Sequence, residues 1–439
     1  MSALEGIIPR ETFSASRCVI LRGGRILDPA NGVDETGDLV LKNGKIQGRG
    51  TDLPVDGADK VIDASGLLVT PGIVDIHTHL FATGGNPDAW AGENSVFPDC
   101  FSFRGGVTTM VDAGSAGWRN FDLFRVTVID RARTRVFAFL NIASYGMLND
   151  MIEQHVPDFD PEKTAAKAQR HSDVVVGIKS AHYWNPGWES VDRAVGAGAI
   201  SGLPVMVDFG WFRKERPYWQ LVSRRLRRGD ISTHCFRGPV PVVDEKGKLY
   251  PYLFEAREKG VLFDLGHGGG SFLFRNAVPA FAQGFYPDSI SSDLHVLSMN
   301  GAMMDMPSTM SKCLAMGMSL REVIARSTFL PAGMVGHPEL GRLSPGGPAD
   351  VALWTLRKGN FGFKDSGGGR LRGNLRLECE MTIRGGEVQW DLNARDGADY
   401  GLLPPGTGIR EGEFLIPPGC GDGVPHGAAS RENNTVSGS

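Results

Sequence analysis

Two patterns of hydrophobic and polar positions alternate along the chain and predict two kinds of structure. Residues 18–68 carry short apolar runs broken by turn signals, among them Asn43-Gly44, and residues 341–395 repeat this pattern around Gly385-Gly386. Short apolar runs joined by Asn-Gly or Gly-Gly turns are typical of β-hairpins. Because the two β pieces flank a long middle, we expect them to form one small β-sandwich built from both ends of the chain.

The middle, residues 69–340, alternates apolar runs with amphipathic stretches, which is the pattern of repeated βα units. Eight runs are candidate strands: GIVDIHTH, VTTMVDAG, RVFAFLNI, VVVGIKSA, LPVMVDFG, DISTHCF, VLFDLGHG and SISSDLH. Eight parallel strands close a (β/α)8 barrel. The predicted fold is therefore an α/β TIM barrel with a small β-sandwich domain. Residues 1–17 are predicted to be an N-terminal extension, and residues 396–439, rich in Gly and Pro, a mobile C-terminal tail.

Most of the candidate strands end in a polar or ionisable residue. The C-terminal ends of barrel strands form the active-site face, so these side chains are expected to converge on one mouth. The residues concerned are His79, Asp112, Lys179, Asp208, His234, His267 and Asp293.

The first barrel strand ends in two histidines separated by one residue, His77 and His79. Alternate side chains on a strand share a face, so both imidazoles, together with Asp75, are expected to point the same way. A lone histidine here would simply mark a polar strand end. Two neutral imidazoles side by side fit ligands of one metal or members of one polar network.

Composition is that of an ordinary globular enzyme and excludes some partners. The 439 residues are 41% hydrophobic and 22% charged, with a formal net charge of -4, which argues against nucleic acid or a membrane surface. The six cysteines form no CxxC pair, and neither a signal-peptide pattern nor an 18-residue apolar run is present. We expect a cytoplasmic protein with free thiols that acts on a small molecule. Whether it forms a homo-oligomer is left open by the sequence.

Several motifs together resemble those of the amidohydrolase superfamily. They are VTPGIVDIHTH, GIK, STH and SSDLH at the ends of strands one, four, six and eight, and LSPGGPADVALW at the return to the β-sandwich. Within the superfamily the chain resembles the deacetylase branch. The motifs for that branch are GVTTMVDAGSAG, DLGHGGGSF and the helix MSKCLAMGMSLREVI after SDLH.

The resemblance implies a metal centre, with ligands carried over by position. His77, His79 and Asp293 would hold a first divalent ion. A carboxylated Lys179 would bridge to a second, which His234 also binds. Zinc is the expected ion, with one or two per chain.

The same chemistry can be argued from the residues. An ordinary lysine is protonated at neutral pH and cannot bind a metal, whereas its carbamate is an anionic oxygen donor. A metal-activated hydroxide would then attack the carbonyl, with Asp293 accepting the proton and passing it to the leaving group. The second metal or His267 would polarise the carbonyl.

Each assignment has a plainer alternative. Lys179 could be a surface lysine, Asp293 a helix cap, and His234 a satisfied core histidine, but their strand-end positions favour metal binding. His267 could instead shape its glycine-rich loop. Four aromatic or basic residues could line the substrate pocket or merely pack: Tyr145, Trp184, Trp211 and Arg237.

The fifth strand departs from the pattern of the branch, because it ends in Asp208 where a histidine is common. Three arrangements stay open. Asp208 could replace the histidine as ligand, His182 from the loop after Lys179 could supply the nitrogen ligand, or the site could hold a single metal. If it is not a ligand, His182 is a candidate substrate contact.

The leading functional prediction is a metal-dependent hydrolase of a C–N amide bond, or of an ester, in a small acylated molecule. The first alternative is a cyclic amidase acting on a hydantoin-like or imide ring with the same metal site. A deaminase is disfavoured, because such members usually lack the bridging lysine. From a different class, a non-catalytic scaffold of the same fold is disfavoured because all the ligand types are present.

Overall fold

The computed structural model describes residues 18–82 and 94–404. One compact unit spans Ser16–Asn393 and contains both sheets of the protein. A second unit comprises Met1–Ala15 and Ala394–Ser439, of which residues 394–404 are described and include one 3-10 turn at Tyr400–Leu402. The predicted N-terminal extension and most of the predicted tail lie outside the described residues.

Fifteen strands are present in the described part of the chain. In order they are β1 (Cys18–Asp28), β2 (Val33–Lys42), β3 (Lys45–Gly50), β4 (Lys60–Asp63), β5 (Leu68–Pro71), β6 (Ile73–Thr78), β7 (Val107–Gly117), β8 (Arg135–Asn141), β9 (Val175–Ser180), β10 (Val205–Val207), β11 (Ile231–Ser232), β12 (Leu262–Phe263), β13 (Val351–Lys364), β14 (Arg370–Arg384) and β15 (Glu387–Asp391).

The α-helices of the described residues lie mostly between the strands of the middle region. They are α1 (Phe121–Phe124), α2 (Pro161–Arg170), α3 (Glu189–Ser201), α4 (Tyr218–Gln220), α5 (Tyr252–Lys259), α6 (Phe274–Ala282), α7 (Val296–Met299), α8 (Met306–Ala315), α9 (Leu320–Ala325) and α10 (Phe329–Met334). Local sequence explains their limits. For example, Asp160 caps α2 by accepting from Lys163 N at 3.0 Å, and α3 stops at Gly202 in a left-handed conformation.

The two chain ends combine in one eight-stranded sheet. Its order is β15-β14-β13-β5-β1-β2-β3, with β4 beside β1, so the antiparallel β5–β13 pair joins the N-terminal strands to the C-terminal ones. Both predicted hairpin turns are confirmed, because Asn43-Gly44 and Gly385-Gly386 adopt positive φ between paired strands. Apolar side chains from both ends, including Ile62 and Ile383, form its core. A second sandwich layer stays a prediction.

The middle region forms a curled, parallel sheet of seven strands, in the order β12-β11-β10-β9-β8-β7-β6. One hydrophobic cluster draws on β6 to β11 and on α10, and therefore fills the barrel interior. Polar side chains at the C-terminal strand ends are thus left to line the mouth above this core.

The eighth predicted strand, SISSDLH, closes the ring without becoming a strand. Parallel bridges join Ser289 to Asp264 beside β12, and Leu294 to Thr78 of β6. Asp293 between them has a φ of 52°, in the left-handed region, which interrupts the extended backbone. The expected eighth β-strand is therefore corrected to a closing segment, residues 289–295, with backbone bonds to both neighbours.

Two features of the described residues bear on the predicted environment. No helix there is long and apolar enough to cross a membrane. The described cysteines are free thiols: Cys18, Cys100, Cys235, Cys313 and Cys379. The prediction of free thiols is thus met in this part of the chain, and Cys420 lies outside the described residues.

Candidate active site

The predicted ligands come together at the C-terminal ends of the barrel strands. Lys179 lies on β9, Asp208 follows β10 directly, and His234 lies two residues after the end of β11. His77 lies near the end of β6, His79 just beyond it, and Asp293 in the closing segment. The order of strands around the barrel therefore gathers residues that are far apart in sequence.

The first group consists of His77, His79 and Asp293, all buried. His79 Nε2 lies 3.0 Å from Asp293 Oδ1, and His77 Nε2 lies 3.6 Å from the same oxygen. One potential ligand atom from each residue falls within 4.8 Å of the others. Burial favours the protonated carboxyl of Asp293, but His77 and His79 outweigh it and hold the pKa of Asp293 below its usual value.

Outer partners fix the rings of both histidines. Nδ1 of His77 lies 2.8 Å from Thr233 Oγ1 and 3.4 Å from the buried carboxylate of Asp264, while Nδ1 of His79 lies 3.1 Å from Ser115 Oγ. Burial, with Lys179 nearby, lowers the pKa of His77 to about 3. His77 is therefore neutral, with its Nε2 lone pair directed at the mouth, as metal ligands require.

Lys179 is fully buried and stands between the two groups. Its Nζ lies 3.4 Å from His77 Nε2 and 3.4 Å from Met206 Sδ. Burial lowers the pKa of Lys179, although the carboxylates of Asp208 and Asp293 oppose that effect. Gly114 leaves room for this side chain, since a Cβ there would lie 2.6 Å from Lys179 Cγ. A lysine in this setting is neutral far more readily than a surface lysine.

The second group consists of Asp208, His234 and His182. Asp208 Oδ2 lies 3.4 Å from His234 Nε2 and 3.1 Å from His182 Nε2. His234 directs Nε2 to the mouth because Nδ1 lies 2.6 Å from the carbonyl oxygen of Gly266. Burial raises the pKa of Asp208, but the histidines beside it dominate and leave it well below its usual value.

A small cavity of about 20 Å³ lies among these side chains, enough for one water or ion. Ligand atoms around a tetrahedral zinc with bonds of about 2.1 Å lie about 3.4 Å apart. The observed separations of 3.0 and 3.6 Å in the first group bracket that value, and those of 3.4 and 3.1 Å in the second lie at it or slightly below it. The donor set of imidazoles and carboxylates therefore fits divalent metal ions.

Backbone strain is concentrated in this site. Three of the residues around the cavity, His182, His234 and Asp293, have φ between 50° and 55°. This left-handed conformation is uncommon for residues other than glycine and costs of order 1 kcal/mol each. Gly268 relieves part of the crowding, because a Cβ there would clash with Asp293 Oδ2. Such strain persists where the surrounding structure and a function require it.

His267 does not join the cavity, which corrects the expectation that it polarises the carbonyl. Its ring is fully buried and stacks on Phe272. Nδ1 lies 2.9 Å from the carbonyl oxygen of Gly268, and Nε2 lies 2.6 Å from Lys312 Nζ. Both ring nitrogens are therefore used inside the protein, as in the loop-shaping alternative.

The other predicted pocket residues divide into two sets. His182 lines the cavity, and Arg237 reaches it indirectly, with Nη1 3.3 Å from Asp208 Oδ1. Tyr145 and Trp211 do not line it and are 40% and 53% exposed. Trp184 lies in the next loop, where its backbone N–H bonds to Gln154.

The expectation that Asp75 points the same way as the two histidines is also corrected, because Asp75 does not line their cavity. A register shift between Asp75 and Thr78 breaks the strand alternation, and the Asp75 carboxylate accepts from Ser292 instead. Asp75 lines a separate cavity of about 410 Å³.

Three residues of the site were missed in the sequence: Glu153, His295 and Met147. Met147 and His295 line the cavity, and Glu153 Oε2 lies 3.0 Å from His182 Nδ1. His295 follows Asp293 at the same two-residue spacing as His79 follows His77, so that spacing was a usable signal. Glu153 comes from a loop after β8 with no motif that marks it.

The chain is similar in sequence to bacterial deacetylases. No protein-family model matches it. A deacetylase of Brucella anthropi is 33% identical over 365 residues, covering 81% of this chain and 88% of that protein. A deacetylase of Agrobacterium fabrum is 33% identical over 359 residues, covering 80% and 86%.

Two solved structures share the fold over most of the chain. An adenine deaminase superposes with a TM-score of 0.77 at 26% identity, covering 85% of this chain and 99% of that one. A dihydroorotase gives 0.74 at 30% identity, covering 84% and 97%.

The barrel and its cluster of imidazoles and carboxylates define a (β/α)8-type protein with a candidate metal centre. The identity of 33% to the two deacetylases, over 80% or more of this chain, also shows the family. The chain belongs to the amidohydrolase superfamily and is a hydrolytic enzyme.

Proposed function

We propose that the protein hydrolyses the amide bond, or the ester bond, of a small acylated carboxylic acid. The observation that carries this proposal is the cluster of His77, His79 and Asp293 with the buried Lys179 beside it. The names of the two deacetylase relatives support an acyl group as the part removed.

The residues would divide the work around zinc or a similar divalent ion. His77, His79 and Asp293 would hold the first ion, and His234 with a carboxylated Lys179 would hold a second. A bound ion of this kind acidifies water and polarises a carbonyl group. A buried, readily neutral lysine suits carboxylation, because only the neutral amine can attack carbon dioxide.

Asp293 would move the proton. Oδ1 faces His77 and His79, while Oδ2 lies 3.9 Å from His234 Nε2 and 4.0 Å from His295 Nε2. From this position the carboxylate would accept a proton from the attacking water and deliver it to the departing nitrogen or oxygen. Because its pKa lies below the usual value, Asp293 is the ionised carboxylate that this role requires.

Two further residues would contact the substrate. His295 lines the cavity, and burial lowers its pKa to about 4, so a neutral ring there would contact the scissile carbonyl in place of His267. Arg237 uses one nitrogen on Asp208 and keeps other donors for a substrate carboxylate.

A cyclic amidase is the second candidate. The dihydroorotase structure, at 30% identity and a TM-score of 0.74, is the observation that favours it. The buried Lys179 and the paired ligand groups fit this candidate equally well. An adenine deaminase also shares the fold, but a lysine between two ligand groups favours amide or ester hydrolysis with a bridging carbamate over deamination.

Parallel assays would separate these candidates. Purified protein with measured metal content would be given N-acetyl amino acids, O-acetyl hydroxy acids, dihydroorotate and hydantoins. We expect turnover of acetylated acids that a chelator abolishes. Turnover confined to the rings would replace the proposal with the cyclic amidase, and metal-free protein with no turnover of any substrate would refute both.

The proposal extends to the organisation of the chain. The β pieces at residues 18–68 and 341–395 would form the sandwich, and residues 69–340 the catalytic barrel. Cytoplasmic location and a homo-oligomer stay predictions.

A further inference from the structure

The imidazoles around the cavity share one arrangement that identifies metal ligands. In His77, His79 and His234, Nδ1 contacts a fixed outer oxygen and Nε2 faces the cavity. A second partner of this kind sets the tautomer and aims the lone pair at the ion. His295 lacks it, because its buried Nδ1 has no hydrogen-bond partner among the described residues.

His182 has the same arrangement as the ligands. Its Nδ1 lies 3.0 Å from Glu153 Oε2, and its Nε2 lies 3.1 Å from Asp208 Oδ2 in the cavity. The carboxylate of Glu153 only accepts hydrogen bonds, so Nδ1 carries a proton and Nε2 is the nitrogen directed at the cavity. A metal-bound imidazole usually has one ring nitrogen hydrogen-bonded to a carboxylate and the other nitrogen on the metal, which is the arrangement of Glu153 and His182.

His182 is the main polar partner of the buried Glu153 carboxylate. It is 2% exposed, and its second oxygen, Oε1, has no hydrogen-bond partner among the described residues. Burying a carboxylate is costly unless a donor or cation compensates it. His182 is the compensating group that the structure places beside it.

The chain holds His182 in an unfavourable backbone conformation to reach this position. Its φ is 50°, and Gly210 packs so closely that a Cβ there would lie 2.8 Å from His182 Cα. Gln154, the neighbour of Glu153, donates to the carbonyl oxygen of His182 at 3.0 Å. The loop that carries Glu153 thus fixes both the backbone and the ring of His182.

We propose that His182 and Asp208 together are ligands of the second metal ion, and that Glu153 is the positioning residue that orients His182. The short Asp208 side chain replaces the histidine expected after β10, and His182, from the loop after β9, supplies the nitrogen ligand. The inference rests on the proposed function, because it assumes the metal centre described above.

Metal content of purified variants tests this inference. Wild-type protein, His182→Ala and the control His155→Ala would be loaded with zinc, dialysed and analysed for zinc per chain. His155 is an exposed histidine near Glu153. We expect two ions in the wild type and the control, and one in His182→Ala. Two ions in folded His182→Ala, or one ion in the wild type, would overturn the inference.

Glu153→Gln tests the positioning role without removing a ligand. We expect the second zinc to bind 10 to 100-fold more weakly, as about that loss follows removal of such outer partners. Glu162→Gln, an exposed change in α2, is the matched control and should leave affinity unchanged. Unchanged affinity in Glu153→Gln would remove Glu153 from the site, even if His182→Ala failed to fold.

The two proposals fail in different ways. Wild-type protein that holds two ions and hydrolyses acetylated acids, while His182→Ala keeps both ions, contradicts the ligand assignment alone. Wild-type protein without tightly bound metal, with activity insensitive to chelation, contradicts the proposed function itself.

Discussion

His79 and Asp293 meet across the seam where the barrel closes, with Nε2 of the histidine 3.0 Å from Oδ1 of the aspartate. His79 follows the first barrel strand, and Asp293 lies in the closing segment. An ion held by both would tie the beginning of the barrel to its end. Metal binding is therefore expected to increase the stability of the fold as well as to support catalysis.

His77→Ala should remove the first ion and most of the activity, because the remaining His79 and Asp293 cannot hold it tightly. Chelation of the wild type should likewise abolish turnover and lower the thermal midpoint. Bound ligand contributes about 2.7 kcal/mol at 100 times its dissociation constant. Metal analysis, calorimetry and an assay on one preparation, with His155→Ala as control, check this prediction. A wild-type midpoint unmoved by chelation would contradict it.

Lys179→Ala should abolish activity, because no other described side chain can bridge the two ligand groups from β9. A short carboxylate such as formate, added with zinc, should restore part of the rate by supplying the missing oxygens. Intact mass spectrometry under carbon dioxide, or carbon-13 NMR with labelled bicarbonate, would detect the carbamate directly. Undiminished turnover by the variant would exclude Lys179 from the mechanism.

Asp208→Asn should weaken the second ion while the first stays bound, since the amide lacks the negative charge that His182 and His234 face. Asp208→His should keep two ions with an altered preference among zinc, cobalt and manganese, because imidazole replaces carboxylate oxygen. Titration of each ion into the apoprotein measures both effects. If both variants keep wild-type affinity for two ions and lose only some rate, Asp208 merely orients other ligands.

Lys312 should give the protein a stability that rises with pH in the alkaline range. Burial lowers its pKa from 10.5 to about 7, so the folded state disfavours the charged amine. The unfolded chain binds that proton more tightly, so the resulting destabilisation is full below pH 7 and is relieved between pH 7 and 10.5. Denaturant unfolding of Lys312→Met at several pH values should show a flatter dependence than the wild type.

The exposed Lys246→Met is the matched control for that series. It should follow the wild-type curve. Parallel curves for the wild type and Lys312→Met across pH 7 to 10 would show that the buried amine is not responsible.

The sequence was informative where one short segment carried the signal. The Asn43-Gly44 turn dictates its hairpin locally, and the apolar runs of residues 69–340 each marked a barrel strand, the eighth excepted. The end of each strand also located Asp208 and His234, because parallel strands present their C-terminal ends at one mouth.

Other features depended on tertiary contacts that no local pattern encodes. The bulge that turns Asp75 away from His77 depends on pairing with the next strand. His267 is drawn inward by Lys312, a residue of α8. Glu153 reaches His182 from a loop after β8, and neither segment carries a motif that specifies the other.

The pairing of β5 with β13 also has a consequence for biosynthesis. Thr70 accepts a hydrogen bond from the indole of Trp354, 284 residues later in the chain. At roughly 5 to 20 residues per second, the N-terminal strands leave the ribosome about 15 to 60 s before their partners exist. During that interval β5 presents an unpaired edge to the cell. The β5 edge can therefore complete its native pairing only after β13 has been translated, and until then it is a site that chaperones can bind.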